Sequence, residues 1–419
     1  MTVHEQGCFP KKKAMPLKQD NTPMKKILIF FTVFPSGPGG SEFLPLSFIS
    51  ELQKTCDVTL VLEKEGDIEG NCKQLGISID TNKLSIIVIK EPSWKFISKL
   101  NNFIPFYRTW HLKRLAKDAD ICISCSNMVY FGKPAHHFIF QMNLFNDEAF
   151  SDFIFHRSPS TGWKKHYRKL RKIIAEYILR PLLGVRSARK ILANSHEHIY
   201  SNSFYVDKMI RDFYGPVNST VFYPPTIFDF NSQDIVRDPL RVVCLGRIDP
   251  EKQIEDIIEI VSLARNLSQM DLKLYIGGGA QPNCQGYMSM LKEITSKYDW
   301  IVWQGEVYGK EKEAFLLSGT FAVHTRRDEE FGISITEYLK AGLVAIVPNE
   351  GGACEIINSP DLSFDTNEKA ASILARLLSD TEFFQEKRSH CNGLATYFTR
   401  DEYLKRQKNL LSNIISTNE

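Results

Sequence analysis

Short apolar runs alternate with helical patterns from Lys26 onward. The run from Lys26 to Phe31 is almost continuously apolar, which predicts a strand that is buried on both faces. A glycine-rich turn follows at Pro35 to Glu42, and it leads through a helical pattern ending near Leu52 to a second strand at Val58 to Leu62. A strand, a glycine-rich loop, a helix and another strand in this order predict the opening of a Rossmann-like α/β unit.

The alternation of apolar runs and helical patterns continues along the chain and starts again near its middle. After an extended segment that ends in Tyr223-Pro224-Pro225, a second series of strands and helices begins. We therefore predict an α/β protein with two Rossmann-like domains joined near residues 222–238. The other runs that predict strands lie at residues 85–89, 121–124, 191–193, 240–245, 272–276, 300–303, 321–324 and 344–347.

These patterns predict four segments. The polar, lysine-rich residues 1–23 predict a disordered leader, residues 24–225 the first Rossmann-like domain and residues 226–400 the second. The amphipathic residues 401–419 predict a helix that crosses back to the first domain. A secretory signal is the competing interpretation of the leader, because basic residues precede an apolar run, but no small-residue cleavage site follows that run.

Composition narrows the class of protein. Hydrophobic residues make up 43% of the 419 residues and charged residues 24%, a balance that excludes wholesale disorder. No apolar run approaches the roughly 18 residues that a membrane-spanning helix needs. The nine cysteines are scattered and odd in number, which argues against a disulfide scaffold and favours a reducing cytoplasm.

Charge is divided unevenly between the two halves of the chain. Residues 1–230 contain 31 Lys and Arg against 21 Asp and Glu, a net charge of +10, and residues 231–419 contain 21 against 28, a net charge of −7. A basic half of this kind favours partners that carry phosphate groups, either lipid or nucleic acid. Because no nucleic-acid recognition module is present, we expect no nucleic-acid partner.

Two basic stretches of the first half are also rich in aromatic and aliphatic residues. Trp163 to Lys190 contains ten Lys and Arg against one acid, Glu176, and Lys95 to Lys117 contains six Lys and Arg. Each stretch is either an amphipathic segment that lies on an anionic membrane surface or an ordinary helix packed on its own domain. The sequence thus predicts a cytoplasmic protein for which the cytoplasmic face of an anionic membrane is a candidate partner.

The strongest chemical signal lies where one strand of the second domain ends and a helix begins. Arg247 and Lys252 occupy this junction, on either side of Pro250. Two cations beside a helix N-terminus, where free N–H groups and the helix dipole attract anions, predict a phosphate or diphosphate site. The alternative is a pair of solvated surface cations, and the position directly after Gly246 argues against it.

A second signal is a pair of glutamates, Glu329 and Glu337, eight positions apart around Gly332. If Gly332 forms a loop-to-helix turn, Glu329 lies on the loop and Glu337 in the helix, with both facing one cleft. Carboxylates placed in this way accept hydrogen bonds from sugar and ribose hydroxyls. The alternative is two glutamates on a solvated helix face, which Gly332 and the later Gly351-Gly352 disfavour.

Together these blocks resemble glycosyltransferase family 4. The resemblance rests on residues 246–252 (Gly-Arg-Ile-Asp-Pro-Glu-Lys), on the Glu-x7-Glu block from Glu329 to Glu337, and on Gly351-Gly352-x-x-Glu355. It implies the GT-B fold, in which two Rossmann-like domains face a central cleft, and retaining transfer of a hexose of mannose or glucose type from a nucleotide-diphosphate sugar. His324-Thr325 and residues 221–225 add a similarity to cytosolic-face mannosyltransferases that act on lipid-linked oligosaccharide.

The resemblance also implies roles for individual residues. Arg247 and Lys252 would hold the diphosphate, and Glu329 would contact the donor sugar. The first domain would receive a lipid-linked or polysaccharide acceptor, and the second would bind the donor without a cofactor or a tightly bound metal. The other implied donor contacts are Glu337 to the ribose, Gly39 and Gly40 to the phosphates, the backbone of Phe331, Gly332 and Ile333 to the sugar and phosphate, and Val307 near the base.

One position departs from the family pattern. The family often has a histidine at a strand end of the first domain near the sugar, and Gln141 stands there in this chain. A glutamine cannot act as a base, which puts any protein base in doubt. His136 and His137 are adjacent and face opposite sides of a strand, which favours two structural histidines over a catalytic dyad.

Three short motifs are discounted. Cys122 and Cys125 have the spacing of a zinc ligand pair but lack a second pair, so we predict buried free thiols. Asp118-Ala119-Asp120 matches a metal-binding motif of another transferase fold, and here it predicts a solvated loop. Gly277-Gly278-Gly279 follows a strand without the spacing of a dinucleotide site.

Three other functions stay open beside the transferase. The first is a nucleotide-sugar epimerase of the same fold, which the Glu-x7-Glu block argues against. The second is an inactive nucleotide-sugar-binding protein, which the intact Arg247, Lys252, Glu329 and Glu337 argue against. A nicotinamide oxidoreductase is disfavoured because its glycine fingerprint is incomplete.

Overall fold

The computed structural model describes residues 24–35, 40–90, 103–126, 128–139, 174–227, 230 and 235–417. The predicted leader, residues 1–23, lies outside the described residues, as do Gly39 and Gln141.

The first sheet consists of parallel strands in the order β3-β2-β1-β4-β5-β6-β7. Its strands are β1 (Lys26–Phe31), β2 (Asp57–Leu62), β3 (Leu84–Val88), β4 (Ile121–Ser124), β5 (His136–Ile139), β6 (His198–Ser201) and β7 (Ser219–Val221). The helices around it are α1 (Gly40–Leu52), α2 (Ile68–Leu75), α3 (Phe103–Leu115), a π-helical turn (Ile174–Leu179) that continues into α4 (Arg180–Leu183), α5 (Ala188–Leu192) and α6 (Phe204–Tyr214).

The second sheet is also parallel, in the order β10-β9-β8-β11-β12-β13. Its strands are β8 (Arg241–Leu245), β9 (Lys273–Gly277), β10 (Ile301–Gly305), β11 (Phe321–Val323), β12 (Val344–Pro348) and β13 (Ser363–Phe364). The accompanying helices are α7 (Ile254–Ser268), α8 (Gln285–Thr295), α9 (Gly309–Leu317), α10 (Ile333–Lys340), α11 (Gly351–Ile357), α12 (Asn367–Ser379), α13 (Thr381–Tyr397) and α14 (Arg400–Ser416).

The two sheets share one topology. In each, the first strand lies inside the sheet and the next two strands extend one way. The remaining strands, four in the first sheet and three in the second, extend the other way, which is the Rossmann order. All five residues of β12 are buried, as expected for a strand covered by helices on both faces. The predicted pair of Rossmann-like domains is therefore confirmed, whereas the exact boundary near residue 225 stays a prediction.

One predicted strand is wrong. Residues 191–193 were expected to be extended, but they belong to helix α5 and to the turn after it. The helix forms because the Ser187 side chain caps it, accepting a hydrogen bond from the backbone N–H of Lys190 at 3.4 Å. The strand of this region is β6, which begins at His198, so residues 193–195 lie in a turn.

The last helix crosses back to the first domain, as predicted. The amide of Gln407 donates to the Ser47 carbonyl at 3.0 Å and accepts from the Ser47 hydroxyl at 2.7 Å, which joins α14 to α1. Arg400 donates to the carbonyls of Leu75 and Gly76 at 2.8 Å each, at the end of α2. Tyr403 of α14 is fully buried, and its ring lies 5.7 Å from that of Phe43 in α1.

The cysteine pair and the histidine pair both lie in ordinary structural surroundings. Cys122 and Cys125 are buried free thiols in and directly after β4, as predicted. His137 is buried with its Nε2 atom 3.0 Å from Glu197 Oε2, and the Nδ1 atom of His136 lies 3.2 Å from the hydroxyl of Tyr200. Among the described residues, no helix is both long and apolar enough to span a membrane.

His136 makes the stability of the fold depend on pH. Burial, with the nearby His198 and His137, lowers the pKa of His136 to about 4. In the unfolded chain this histidine binds a proton near pH 6.5, whereas in the folded chain it stays neutral down to about pH 4. The stability that neutral His136 contributes is therefore full above pH 6.5 and is lost as the pH falls towards 4. We expect the His136 contribution to fall by about 2 kcal/mol between pH 7 and pH 5.

Denaturant unfolding of the wild type and of His136→Gln at both pH values measures this contribution. The variant should lose less stability on acidification, whereas His196→Gln, which alters an exposed histidine of the same domain, should follow the wild type. Identical pH dependence in all three proteins would exclude His136 as the source.

Candidate active site

The loops after β8 and β11 meet at the carboxyl edge of the second sheet. β8 and β11 are neighbours in the sheet. The strands that follow β8 extend the sheet on one side of this pair, and the strands that follow β11 extend it on the other side. In open α/β sheets such a switch point leaves a crevice outside the strand ends, where ligands bind. A small pocket at this place is lined by residues from both strand ends, including Gly246, Arg247, Lys252, His324 and Tyr338.

The loop after β8 carries the two predicted cations. Arg247 is 58% exposed, and its guanidinium lies 3.9 Å from the carboxylate of Asp249. Asp249 caps the short turn Pro250–Lys252 by accepting from the backbone N–H of Glu251 at 3.0 Å, and α7 begins two residues after Lys252. The turn therefore presents both cations beside the start of a helix, as the sequence predicted.

The triple glycine packs strand ends together. The backbone N–H of Gly246 donates to Gly277 at 3.1 Å, and that of Gly278 donates to Gly305 at 2.7 Å. Gly278 has φ +143°, and a Cβ atom there would lie 1.8 Å from the Gly246 carbonyl oxygen. Only glycine fits such a contact, so the motif brings the ends of β8, β9 and β10 to one edge.

Lys252 and Glu329 form the ion pair at the centre of the site. The Lys252 ammonium donates to Glu329 Oε2 at 2.5 Å, and both side chains are partly buried. Burial raises the pKa of Glu329, but Lys252, His324 and Arg326 together outweigh it and hold that pKa well below its usual range. Glu329 is therefore a carboxylate at neutral pH, with a cation already in place beside it.

His324 lies behind this pair. It is buried, and its Nε2 atom lies 3.4 Å from Glu329 Oε2, a long separation for a hydrogen bond. Burial lowers the pKa of His324, and the positive charge of Lys252 lowers it further, although Glu329 opposes both. We infer a neutral imidazole at pH 7.

Thr325 and Arg326 fix the loop that carries Lys252. The sequence analysis named Thr325 only as part of a resemblance, without a role, and did not name Arg326. The Thr325 hydroxyl donates to the Lys252 carbonyl at 2.7 Å, and the Arg326 guanidinium lies 3.2 Å from Glu251. Arg326 also donates to Asp328 at 3.0 Å. These contacts join the loop after β11 to the loop after β8, and no residue spacing in the sequence indicates them.

The second glutamate lies in helix α10, as predicted. Gly332 precedes the helix with φ +96°, so the loop-to-helix turn is present. Glu337 is buried, and Lys312 on α9 donates to its carboxylate at 2.6 Å. Burial raises the pKa of Glu337, and the charge of Lys312 opposes that rise. The next residue, Tyr338, accepts from the backbone N–H of Leu245 at 2.7 Å and holds the end of β8.

Gly351 and Gly352 fix the loop around Glu329 from the other side. The backbone N–H of Gly352 donates to the Glu329 carbonyl at 2.7 Å. A Cβ atom on Gly351, where φ is +79°, would lie 2.4 Å from the Arg327 carbonyl oxygen. The glycine pair therefore allows close packing of α11 against the loop.

Glu355 links this loop system to the first domain. Its carboxylate accepts from the backbone N–H groups of Phe204 and Tyr205, at 2.9 and 3.1 Å, and from the Tyr223 hydroxyl at 2.5 Å. The carboxylate thus caps the start of α6. Ser203 adds a bond of 2.5 Å to the carbonyl of Glu330.

The remaining predicted residues divide into three groups. Phe331 is buried, with its ring 5.6 Å from that of Tyr223, so only its backbone is left for a ligand. Ile333 begins α10, and Val307 is buried in the loop after β10. Gly40 begins α1, whereas Gly39 lies outside the described residues. In the part of the chain that is described, no cluster of three His, Cys, Asp or Glu side chains has the arrangement of a metal site.

The second domain matches a known protein family. Residues 226–393 match the family described as Glycosyl transferases group 1. A GDP-Man:Man(3)GlcNAc(2)-PP-Dol alpha-1,2-mannosyltransferase of Caenorhabditis elegans is 25% identical over 177 residues, which are 38% of this chain and 38% of that protein. The match therefore spans less than half of the curated relative.

Solved structures share the fold over nearly the whole chain. Among them is WaaG, a glycosyltransferase involved in lipopolysaccharide biosynthesis, with a TM-score of 0.56 at 12% identity over 92% of this chain and 99% of that one. HepE of Anabaena in complex with UDP superposes with a TM-score of 0.62 at 15% identity, over 93% of this chain and 100% of that one. Sucrose-phosphate synthase from Thermosynechococcus elongatus gives a TM-score of 0.61 at 13% identity, over 94% and 100% of the two chains. The predicted GT-B fold is therefore confirmed.

Proposed function

We propose that this protein is a retaining glycosyltransferase of family 4. It transfers a hexose of mannose or glucose type from a nucleotide-diphosphate sugar to a lipid-linked or polysaccharide glycan acceptor. The observation that carries the proposal is the Lys252–Glu329 pair beside Arg247, at the switch point of a domain that matches Glycosyl transferases group 1. The name of the relative from Caenorhabditis elegans, a GDP-Man:Man(3)GlcNAc(2)-PP-Dol alpha-1,2-mannosyltransferase, supports the same class.

In this proposal the two cations stabilise the leaving group. Negative charge develops on the diphosphate as its bond to the anomeric carbon breaks, and Arg247 and Lys252 stand where a donor phosphate would enter the crevice. Fixed charges that face developing charge are the largest single contribution in many enzymes. Exposed Arg247 is free to reach the outer phosphate, and partly buried Lys252 is held by Thr325 and Glu329.

The carboxylates bind the parts of the donor that do not leave. Glu329 accepts a hydrogen bond from a hydroxyl of the transferred sugar, and Glu337 accepts from the ribose. The backbone N–H groups of Gly332 and Ile333, at the start of α10, have no acceptor within the helix and bind phosphate or sugar oxygens. Gly39 and Gly40 allow the loop of the first domain to approach the donor phosphates. The backbone of Phe331 contacts the sugar and phosphate, and Val307 lies near the base.

The proposed reaction needs no protein base. The acceptor oxygen bonds to the anomeric carbon on the face from which the phosphate departs, and the acceptor's proton passes to the leaving phosphate oxygen. Retention of configuration follows from this front-face attack. Among the described residues His324 is the imidazole nearest Glu329, and it is buried behind the ion pair rather than open to an acceptor.

Incubation with labelled nucleotide-diphosphate hexoses and a lipid-linked acceptor extract tests the proposal. We expect label in the extracted glycan, and NMR of the product should give the same anomeric configuration as the donor. Conversion of the donor to an epimer would support the epimerase, and binding without turnover would support an inactive binding protein. An inverted product would exclude the retaining mechanism.

We further propose that the first domain lies on the cytoplasmic face of an anionic membrane. Tyr177 is 78% exposed and Leu182 is 74% exposed, on the helical segment formed by the π-helical turn and α4. The two basic stretches meet here, because Lys113 of α3 donates to the Gly184 carbonyl at 2.6 Å. Exposed apolar side chains beside basic residues are typical of an interfacial segment. Residues 95–102 and 163–173 of these stretches lie outside the described residues.

Binding to liposomes measures this association. We expect sedimentation with anionic liposomes that weakens with salt, because each Lys or Arg near such a surface contributes about 1 kcal/mol. Arg186→Glu/Lys190→Glu and Tyr177→Ser/Leu182→Ser should each weaken it, whereas Lys405→Glu on the exposed face of α14 should not. Equal binding to neutral and anionic liposomes would contradict the proposal.

A further inference from the structure

The start of helix α6 in the first domain contacts the second domain at two points. Ser203, the cap of α6, also donates to the Glu330 carbonyl at 2.5 Å. The backbone N–H groups of Phe204 and Tyr205 donate to the Glu355 carboxylate at 2.9 and 3.1 Å. One helix start of the first domain is therefore bonded both to the loop after β11 and to helix α11.

Tyr223 adds a third contact, on the segment between β7 and β8 where the chain passes from the first sheet to the second. Its hydroxyl donates to the Glu355 carboxylate at 2.5 Å. Burial and this carboxylate raise the pKa of Tyr223, so the hydroxyl stays protonated and remains a donor. The Tyr223 ring lies 5.6 Å from that of Phe331 and 6.1 Å from that of Phe398, which lies between α13 and α14. Both crossings of the chain between the domains thus meet around one ring.

These contacts fix three consecutive residues of the loop that carries the proposed sugar ligand. The Glu329 carbonyl accepts from the backbone N–H of Gly352 at 2.7 Å, one turn before Glu355 in α11. The next two residues, Glu330 and Phe331, contact the first-domain side through the hydrogen bond and the ring contact described above. The loop is therefore supported by α11 on one side and by the first domain on the other, and Glu355 joins these two supports.

We infer that Glu355 is a positioning residue for the proposed sugar transfer. From α11 it ties the second domain to the start of α6 and to Tyr223, and this keeps the loop of residues 329–331 in the shape that receives the donor sugar. The inference rests on the proposed function, because this loop is the one assigned to that sugar. The diphosphate cations, Arg247 and Lys252, belong to a different loop, the one after β8, so loss of Glu355 affects the sugar more than the diphosphate.

Kinetics of Glu355→Gln test the inference, with GDP-mannose and UDP-glucose as donors. The variant keeps the size of the side chain but removes its charge and replaces one acceptor oxygen by an amide donor. We expect kcat to fall about tenfold to a hundredfold, as for the loss of a hydrogen bond to a charged group. The KM of the donor and the dissociation constants of GDP and UDP should change by less than about threefold, because they report binding of the diphosphate. Glu382→Gln, at an exposed position of α13, is the matched control and should keep kcat.

Two further measurements separate positioning from a general loss of stability. Tyr223→Phe keeps the ring beside Phe331 and removes only the hydroxyl, so it should also lower kcat. In the double variant with Glu355→Gln the loss of kcat should be smaller than the product of the two single losses, because both changes remove the same bond. Hydrogen–deuterium exchange of residues 326–334 should become faster in Glu355→Gln, whereas exchange of helix α7 should match that of the wild type.

The outcomes separate this inference from the proposed function. Unchanged exchange of residues 326–334 in Glu355→Gln would show that Glu355 does not hold the loop, and the inference would be wrong whatever the activity. A lowered melting temperature with wild-type kcat would also overturn it, because Glu355 would then only stabilise the fold. In both cases the transferase proposal stands. A wild-type protein that transfers neither sugar and binds neither GDP nor UDP would instead reject the proposed function, and the inference with it.

Discussion

Arg247→Ala and Lys252→Ala are each expected to lower the rate of sugar transfer by about 10²–10³-fold. Both side chains carry positive charge at the switch point of the second sheet, where the leaving diphosphate would gain negative charge. Removing one preorganised partner of a developing charge commonly costs this much in rate. Steady-state kinetics with a saturating acceptor measures the effect.

The two variants should differ in stability. Arg247 is exposed, so its replacement should leave the melting temperature unchanged. Lys252 is the partner of a partly buried carboxylate, so Lys252→Ala should also lower the melting temperature. Lys297→Ala, an exposed lysine of the same domain, is the matched control and should retain activity. Turnover close to wild type in both site variants would reject the diphosphate site.

Glu329→Gln is expected to reduce turnover strongly, and Glu330→Gln only weakly. The Glu329 carboxylate contacts Lys252 at 2.5 Å, and glutamine keeps its shape but loses its charge. Hydrogen bonds to charged groups are worth about 1.5–3 kcal/mol, which corresponds to roughly tenfold to 150-fold in rate. For Glu330 the described contact to the first domain is made by its main-chain carbonyl, which accepts from Ser203 and is preserved in the variant. We expect Glu330→Gln to change turnover by less than about tenfold.

Kinetics of the two single variants distinguish adjacent residues of one loop. In an extended loop neighbouring side chains point in opposite directions, so both carboxylates are not expected to face the same sugar. If Glu330→Gln loses most of its turnover while Glu329→Gln keeps it, the assignment of this loop is wrong by one residue.

The apolar runs were sufficient to predict most of the fold. β1, β8 and β12 are buried on both faces, so their sequences are continuously apolar and their bounds were predicted to within a residue or so. The prediction of a strand at residues 191–193 was wrong because so short an apolar run fits a helix as well as a strand. The cap at Ser187 favours the helix, α5. β6 begins with His198 and was missed because it carries polar residues.

The candidate site was predictable only in part. The predicted charged residues lie in short stretches of sequence in which neighbouring glycines indicate a turn. These residues are Arg247, Lys252, Glu329 and Glu337. Their partners lie far away in the chain, because a fold brings together residues that no local pattern connects. Thr325 and Arg326 reach the turn of Lys252 across more than 70 positions, and Glu355 reaches the first domain across about 150.

A crystal structure of the protein with a bound nucleoside diphosphate tests the central claim most directly. The account predicts that the diphosphate lies in the crevice between the ends of β8 and β11, with its oxygens within hydrogen-bonding distance of the Arg247 guanidinium and the Lys252 ammonium. The ribose should lie against Glu337. A diphosphate bound away from both cations, with Lys252 paired only to Glu329, would contradict the account.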